Sequence, residues 1–331
     1  MKKSRQYKVE SIKGKKVIVR ILSTVYCLLS TVFVFADDIS SKAAVVMEAS
    51  TGRVLFAKNH TLKLPPASTT KLVTAMIVLD RANLEDIVTV SKKAERVPTV
   101  RGTEFRGGET ATVKTLLYAA LLRSSNDAAF ALAEHLAGSE NKFVDLMNKK
   151  ALAIGALDTK FINATGLPGK GQKITAYDLA KIMRYALRYP VIKEILGTRE
   201  ADIITEEGRT ISMANTNRLL WSDDGAVGGK TGYTRAARHC FVYACEKDDE
   251  MIVVALLGAP SRPILWNETE RLMERGFYVI SSNEQPVVYF TKADYRIPVK
   301  KAVYTKKVRA KKHGKKGKAV SHKVAAKKKA K

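Results

Sequence analysis

The sequence predicts an α+β fold, a mostly antiparallel sheet flanked by helices with a second, all-helical lobe. Three observations carry this. Strand-like apolar runs stand at both ends of the central region, near 43–57 and again between 202 and 257. The stretch from about 68 to 195 between them shows helical periodicity instead. A chain of 331 residues with 46% apolar side chains has enough to bury the core that such layers need. A cleft between the lobes is where a site is expected.

Taken in order, the chain opens with a basic stretch from Lys2 to Arg20, an apolar run from Ile21 to Phe35, and Val34-Phe35-Ala36 ahead of Asp37-Asp38. Residues 1–36 therefore read as an export signal cleaved after Ala36. The alternative is a retained anchor, but the run is shorter than the ~20 helical residues that span a bilayer core. Cys27 follows the bulky Tyr26, which disfavours lipid attachment there. Ala43 to Met47 and Arg53 to Ala57 flank Ser50-Thr51-Gly52 and predict a β-hairpin. Helices are expected to start at Ser68, Thr112, Ser139 and Thr175, each a residue able to cap the helix ahead of an apolar stripe. Strands return at Asp202 to Ile204, Thr210 to Ser212, Gly228 to Tyr233, Cys240 to Ala244 and Met251 to Leu257, and a helix follows from Ile264 to Arg275. The expected division is a signal at 1–36, a catalytic domain at 37–280, a short extension at 281–298 and a disordered lysine-rich tail at 299–331.

The formal charge of +26 suggests a nucleic-acid binder until its position is considered. Residues 1–36 carry +7 and residues 299–331 carry +15, which leaves +4 for the middle. Cys240 and Cys245 lie five apart on one expected strand and so face opposite sides, which reads as two buried free thiols. Five scattered histidines show no ligand spacing, and neither a metal nor a cofactor is expected.

Nucleophilic chemistry is written in three short motifs. Ser68-Thr69-Thr70-Lys71 opens an apolar-striped helix, and a spacing of three puts serine and lysine on one face within hydrogen-bond reach. A serine hydroxyl needs a neighbour to take its proton, and a lysine in a dry, positively charged site can do so. Ser139-Glu140-Asn141-Lys142 has the same spacing but reads as a helix cap. Ser124-Ser125-Asn126 follows a helical run, whereas Ser281-Ser282-Asn283 matches it only in composition. Lys230-Thr231-Gly232 is the one K-T-G of the sequence and lies on a strand after Gly228-Gly229.

With these motifs in this order, and with Val45 to Lys58, Leu64 to Lys71, Leu121 to Ala129, Asn163 to Leu167, Gly229 to Thr234 and Leu257 to Arg262 as flanks, the chain resembles the low-molecular-mass penicillin-binding D-alanyl-D-alanine carboxypeptidases, over roughly 40–277. The resemblance implies a β-lactamase/transpeptidase-like fold and a serine peptidase acting on peptidoglycan stem pentapeptides, with β-lactams as covalent inhibitors. It implies Ser68 as nucleophile, Lys71 as proton acceptor and Ser124 as relay to the leaving amine. Asn126 would hold the substrate amide, Lys230 and Thr231 of the Lys230-Thr231-Gly232 motif the terminal carboxylate, and the backbone N–H groups of Ser68 and Tyr233 the oxyanion. It also implies export to the periplasm or the outer face of the cytoplasmic membrane.

The sequence departs from the family in four places. Ser125 stands where glycine is usual, Leu265 where an arginine often binds the carboxylate, and Arg238 where a small residue is usual. Arg238 is therefore a candidate for the missing carboxylate contact. A separate C-terminal β-rich domain is not evident before the tail. A β-lactamase would need a further base, such as a glutamate in the 161–166 stretch, and there is none. An endopeptidase cutting D-alanyl cross-links would use the same residues and remains the alternative activity. A wall- or polymer-binding protein is the alternative of another class, and the tail's expected partner is an anionic lipid, lipopolysaccharide or teichoic polymer, with no nucleic acid.

Overall fold

The computed structural model describes residues 39–99 and 104–291, so the expected export signal and lysine-rich tail lie outside the described residues. Strands β1 (Ala43–Glu48) and β2 (Val54–Lys58) form the expected hairpin, with Ala44 opposite Lys58 and Val45 opposite Ala57. Its turn is closed by Gly52 at φ +81° and by the Glu48 carboxylate, which accepts from the Thr51 hydroxyl at 2.7 Å and from Arg53 Nε at 3.1 Å.

The chain then leaves the sheet. A 3₁₀ turn (Ala67–Thr70) runs into α1 (Lys71–Leu79), followed by β3 (Ile87–Thr89), α2 (Lys92–Glu95), β4 (Thr110–Thr112), α3 (Val113–Tyr118) and a π-helical turn (Ala119–Arg123). Helices α4 (Asn126–Ala137), α5 (Glu140–Ile154), α6 (Ala176–Ala186) and α7 (Pro190–Gly197) complete this part. Thr112, Ser139 and Thr175 cap their helices by accepting from the backbone N–H of Thr115, Lys142 and Asp178. Ser68 does not cap. It is the second residue of the 3₁₀ turn, which has no side-chain cap, and its hydroxyl is engaged elsewhere. The inserted lobe is not wholly helical, since β3 pairs with β4, while the strands expected at 202–204 and 210–212 form β5 (Glu200–Ile204) and β6 (Thr210–Ala214), which pair with each other in a separate two-stranded sheet. Three-residue strands such as β3 and β4 are too short to show a period of two in sequence.

A second 3₁₀ turn (Arg218–Trp221) leads back to β7 (Ala226–Thr234), β8 (Arg238–Lys247) and β9 (Glu250–Ala259), then α8 (Arg262–Ser282) and β10 (Val287–Tyr289). The main sheet has the order β10-β2-β1-β9-β8-β7 and is antiparallel except for the β10–β2 edge pair. Strand alternation sorts its side chains into two cores. Val45, Met47, Val242 and Ala255 lie on the face that packs on α6 and share a core with α1 and α4 beyond it, while Val46, Phe56, Tyr243 and Val254 face Leu265, Leu272 and Val279 of α8. Gly276 lets α8 lie close, since a Cβ there would meet Val46 Cγ1 at 2.8 Å. Cys240 and Cys245 fall into opposite cores as free, buried thiols. The expected boundary at 280 falls inside α8, and the extension returns as β10 to the sheet's edge. Among the described residues no helix is long and apolar enough to cross a membrane.

Candidate active site

The three motifs converge at one cleft, lined among others by Ser68, Ser124, Asn126, Thr231, Gly232 and Tyr233. Each is delivered by a locally unusual piece of backbone. Ala67 takes φ +50°, a left-handed conformation costly for a residue with a Cβ, and turns the chain so that Ser68 stands half-buried at the mouth of α1. The loop at 163–167 presses on this turn: a Cβ on Gly166, at φ +87°, would lie 1.8 Å from the Ala67 carbonyl oxygen. Asn163 shapes that loop by accepting from Gly166 N at 2.7 Å and donating to Leu167 O at 2.9 Å. The π-helical turn ends on Ser124 at φ +70°, again left-handed.

Lys71 is fully buried, and its Nζ lies within hydrogen-bond distance of Ser68 Oγ at 3.0 Å, Asn126 Oδ1 at 2.6 Å and Thr165 O at 2.8 Å, of which a neutral amine donates to the last two and accepts from the serine hydroxyl. Burial holds its pKa well below the ordinary lysine value, the nearby positive charge of Lys230 pushes the same way, and Asp127 opposes them. A neutral amine keeps its lone pair and can take a proton from the hydroxyl beside it. Lys230 is also fully buried, and its Nζ donates to the Thr231 carbonyl at 3.1 Å. The Thr231 hydroxyl donates to Thr216 Oγ1 at 2.7 Å. Gly232 brings β7 against the serine: a Cβ there would meet the Ser68 backbone nitrogen at 2.8 Å, so only glycine fits without displacement. Tyr233, 42% exposed, stacks on His239 with ring centroids 4.5 Å apart at the outer edge of the cleft.

Asp127 has no place in the three motifs, yet it braces the second one. Its carboxylate accepts the backbone N–H groups of Glu104 and Phe105 at 2.7 and 3.0 Å and of Ala128 at 2.9 Å, together with the Ser125 hydroxyl. That contact explains Ser125 in place of glycine, since the side chain is buried and committed to its neighbour. The signal in sequence was an aspartate directly after Asn126 on a helix with few other acids.

Arg238 stands apart from this lining. It starts β8 at φ +61°, is exposed, and donates to the Pro260 carbonyl at 3.2 Å. The left-handed turn into the strand aims its side chain along the rim instead of inward. Leu265, in contrast, is buried and lines the cleft, and so do Arg123 and Arg262. Arg123 is paired with Glu104. Arg262 has no ion-pair partner among the described residues. It is the first residue of α8, set there by Ser261, which accepts from Ile264 N. Cys240 lines the same wall, but burial raises its thiol to about 12, so it stays protonated.

Residues 31–261 match the family model described as D-alanyl-D-alanine carboxypeptidase. The chain is similar to D-alanyl-D-alanine carboxypeptidase DacF of Bacillus subtilis, at 35% identity over 66% of this chain and 57% of that one. It is also similar to a D-alanyl-D-alanine endopeptidase of Escherichia coli, at 32% identity over 71% of this chain and 80% of that one. The crystal structure of a D-alanyl-D-alanine carboxypeptidase from Mycobacterium tuberculosis superposes with a TM-score of 0.68 at 32% identity, covering 72% of this chain and 92% of that one. The chain thus spans little more than half the length of its Bacillus relative. Three motifs gathered around a buried lysine and a family match over most of its length lead to one conclusion: the chain belongs to the D-alanyl-D-alanine carboxypeptidase family of peptidases.

Proposed function

We propose that the chain is a serine D-alanyl-D-alanine carboxypeptidase that removes the terminal D-alanine from peptidoglycan stem pentapeptides. The observation that carries this is the buried amine of Lys71, 3.0 Å from Ser68 Oγ, with its pKa lowered well below the ordinary lysine value by burial and by the charge of Lys230. Ser68 Oγ attacks the carbonyl carbon of the penultimate D-alanine as its proton passes to Lys71. The backbone N–H groups of Ser68 and Tyr233 receive the oxyanion, for which the close approach of Gly232 to Ser68 N is suited. The tetrahedral intermediate collapses as the C–N bond breaks. Ser124 relays the proton to the leaving amine, and free D-alanine departs from an ester on Ser68. Water then hydrolyses the ester. Asn126, fixed between Lys71 and the Pro98 carbonyl, holds the substrate amide.

The carboxylate of the leaving D-alanine lies at Lys230 and Thr231 with Arg262, which lines the cleft with no ion-pair partner among the described residues, in the place expected for Arg238. The β-lactam carbonyl of penicillin enters by the same attack. Export by residues 1–36, action outside the cytoplasmic membrane, and adsorption of the 299–331 tail to an anionic polymer or lipid complete the reading. The test is turnover of a pentapeptide muropeptide followed by mass spectrometry of the protein after penicillin. Release of D-alanine and a penicilloyl adduct on Ser68, lost in Ser68→Ala and kept in Ser139→Ala, is expected. An adduct on any other serine overturns the assignment.

A further inference from the structure

Ser124 stands at φ +70°, a left-handed conformation that a residue with a Cβ keeps only where its surroundings enforce it. A closed ring of contacts does so here. Arg123, the residue before it, donates through Nε to the Glu104 carboxylate. Ser125, the residue after it, donates its hydroxyl to Asp127 Oδ1, and its backbone N–H reaches the Ala119 carbonyl at 3.0 Å across the π-helical turn. Asp127 closes the ring, because its other oxygen accepts the Glu104 N–H at 2.7 Å.

Glu104 enters this ring twice, by its carboxylate and by its N–H. Its third polar group, the backbone carbonyl, accepts from Arg209 at 2.7 Å. Arg209 is itself anchored: its Nε and the same terminal nitrogen meet the two Glu109 oxygens at 2.7 and 2.6 Å, the two-point fit of a guanidinium on a carboxylate. Arg209 lies in the turn between β5 and β6, and Glu109 directly precedes β4. The hairpin is thereby fastened to the wall of the cleft, which Glu104 and Arg123 both line. The Glu104 side chain is only 10% exposed, so its pair with Arg123 is little screened by water and ions.

A cleft residue with N–H, carbonyl and carboxylate all committed to protein partners holds its neighbours in place. The member of the ring that the acyl-transfer chemistry uses is Ser124. We propose that Glu104 is a positioning residue for Ser124: clamped by Asp127 and by Arg209 of the β5–β6 hairpin, it fixes Arg123 and through it the hydroxyl that passes a proton to the leaving amine. This rests on the relay reading of Ser124 given above. The clamp then bears on one bond. An amide nitrogen departs only as it gains a proton, whereas a thiolate is a weak enough base to depart without one. Attack by Ser68 and the carboxylate contacts at Lys230 and Thr231 lie outside the ring and serve both kinds of leaving group.

The experiment uses two substrates that form the same acyl-enzyme, a stem pentapeptide and its thioester analogue in which mercaptoacetate replaces the terminal D-alanine and keeps the carboxylate. For both, kcat/KM reports acylation. Ser124→Ala is the reference and is expected to lose far more on the peptide than on the thioester. Arg209→Ala and Glu104→Ala are each expected to lower peptide kcat/KM by about ten-fold, the scale of a small misplacement. Arg209 lies outside the cleft, and its variant is expected to keep thioester kcat/KM within about two-fold, which also shows that it folds. Introduced into Ser124→Ala, Arg209→Ala should add less than about two-fold on the peptide, since it acts through a hydroxyl already gone. Glu207 holds the same hairpin to Thr110 instead, accepting from its N and Oγ1 at 2.8 Å, and Glu207→Ala should leave peptide turnover within about two-fold.

Additive losses in the double variant, an equal loss in Glu207→Ala, or unchanged peptide kcat/KM in Arg209→Ala and Glu104→Ala would overturn the proposal. So would an Arg209→Ala that loses equally on both substrates while Ser124→Ala spares the thioester. A Ser124→Ala that itself loses equally on both would instead remove the relay role from Ser124, and the double variant would then decide whether the clamp acts through that residue.

Discussion

Lys71 Nζ meets three oxygens and has no water-exposed surface, and that arrangement sets the pH dependence of the reaction. Its pKa is depressed by burial first and by Lys230 second. The penicillin acylation rate is therefore expected to rise with pH through an apparent pKa below the ~10.4 of free lysine, then level off. Lys71→Arg is expected to abolish acylation, because guanidinium keeps its proton; normal acylation by that variant removes Lys71 from the base role. The same depression fixes the sign of a stability change. Between the folded and unfolded pKa the unfolded lysine binds a proton that the folded one does not, so wild-type stability rises with pH in that window. Denaturation of wild type and Lys71→Met across the alkaline range should show that slope only in wild type. Substitution should separate the two arginines. Arg262→Ala is expected to lower pentapeptide kcat/KM by about ten-fold, the scale of a lost charge-assisted contact, and Arg238→Ala by less than about two-fold. Equal effects would return the carboxylate contact to the rim. Ser68, Lys71, Asn126 and Lys230 were legible in sequence because each sits in a short motif whose spacing fixes local geometry. Arg262 stands there only as the end of the Leu257 to Arg262 stretch, and neither its place at the cleft nor that of Thr216 could be read, because the start of a helix and the approach to a turn far apart in the chain bring them there.

Helix starts were legible at Thr112, Ser139 and Thr175 because a cap is a bond between residues three apart. Ser68 looked like a fourth and is not one, since its hydroxyl is held by a lysine that folding has buried. The pairing of β10 with β2 and of β5 with β6 could not be read, because strand partnership depends on what lies between the strands. The contact between the 163–167 loop and the nucleophile turn sets two glycines apart. Gly166 and Gly171 both take positive φ, at +87° and +89°, but a Cβ on Gly171 meets nothing within 4 Å while one on Gly166 lands on the Ala67 carbonyl. Gly171→Ala should cost only the backbone strain, about 1–2 kcal/mol, and keep normal acylation. Gly166→Ala should destabilise by more than that in thermal denaturation and slow penicillin acylation, because Ala67 cannot yield without moving Ser68. If both variants acylate like wild type, the loop does not position the nucleophile.

At the scale of the molecule, the sequence separates charge from chemistry. All the residues placed at the cleft lie between 68 and 266, while fifteen cations without one acid occupy 299–331. The middle of the chain, at +4, gives little reason for strong adsorption to an anionic surface. Each cation near an anionic lipid surface contributes about 1 kcal/mol, so a few simultaneous contacts suffice for reversible binding. Apolar positions in the tail form no helical stripe, so the attraction is expected to be electrostatic and to follow the Debye length, which shrinks from ~10 Å at 0.1 M salt to ~3 Å at 1 M. Sedimentation with anionic vesicles or isolated wall polymer should thus be strong at low salt and lost at high salt. A chain truncated after Pro298 should lose that binding and keep turnover of a soluble pentapeptide, since the sheet that carries Lys230 and packs α8 is closed by residue 289. Binding that survives high salt would point to an inserted apolar segment, and loss of soluble turnover on truncation would make the tail part of the catalytic fold.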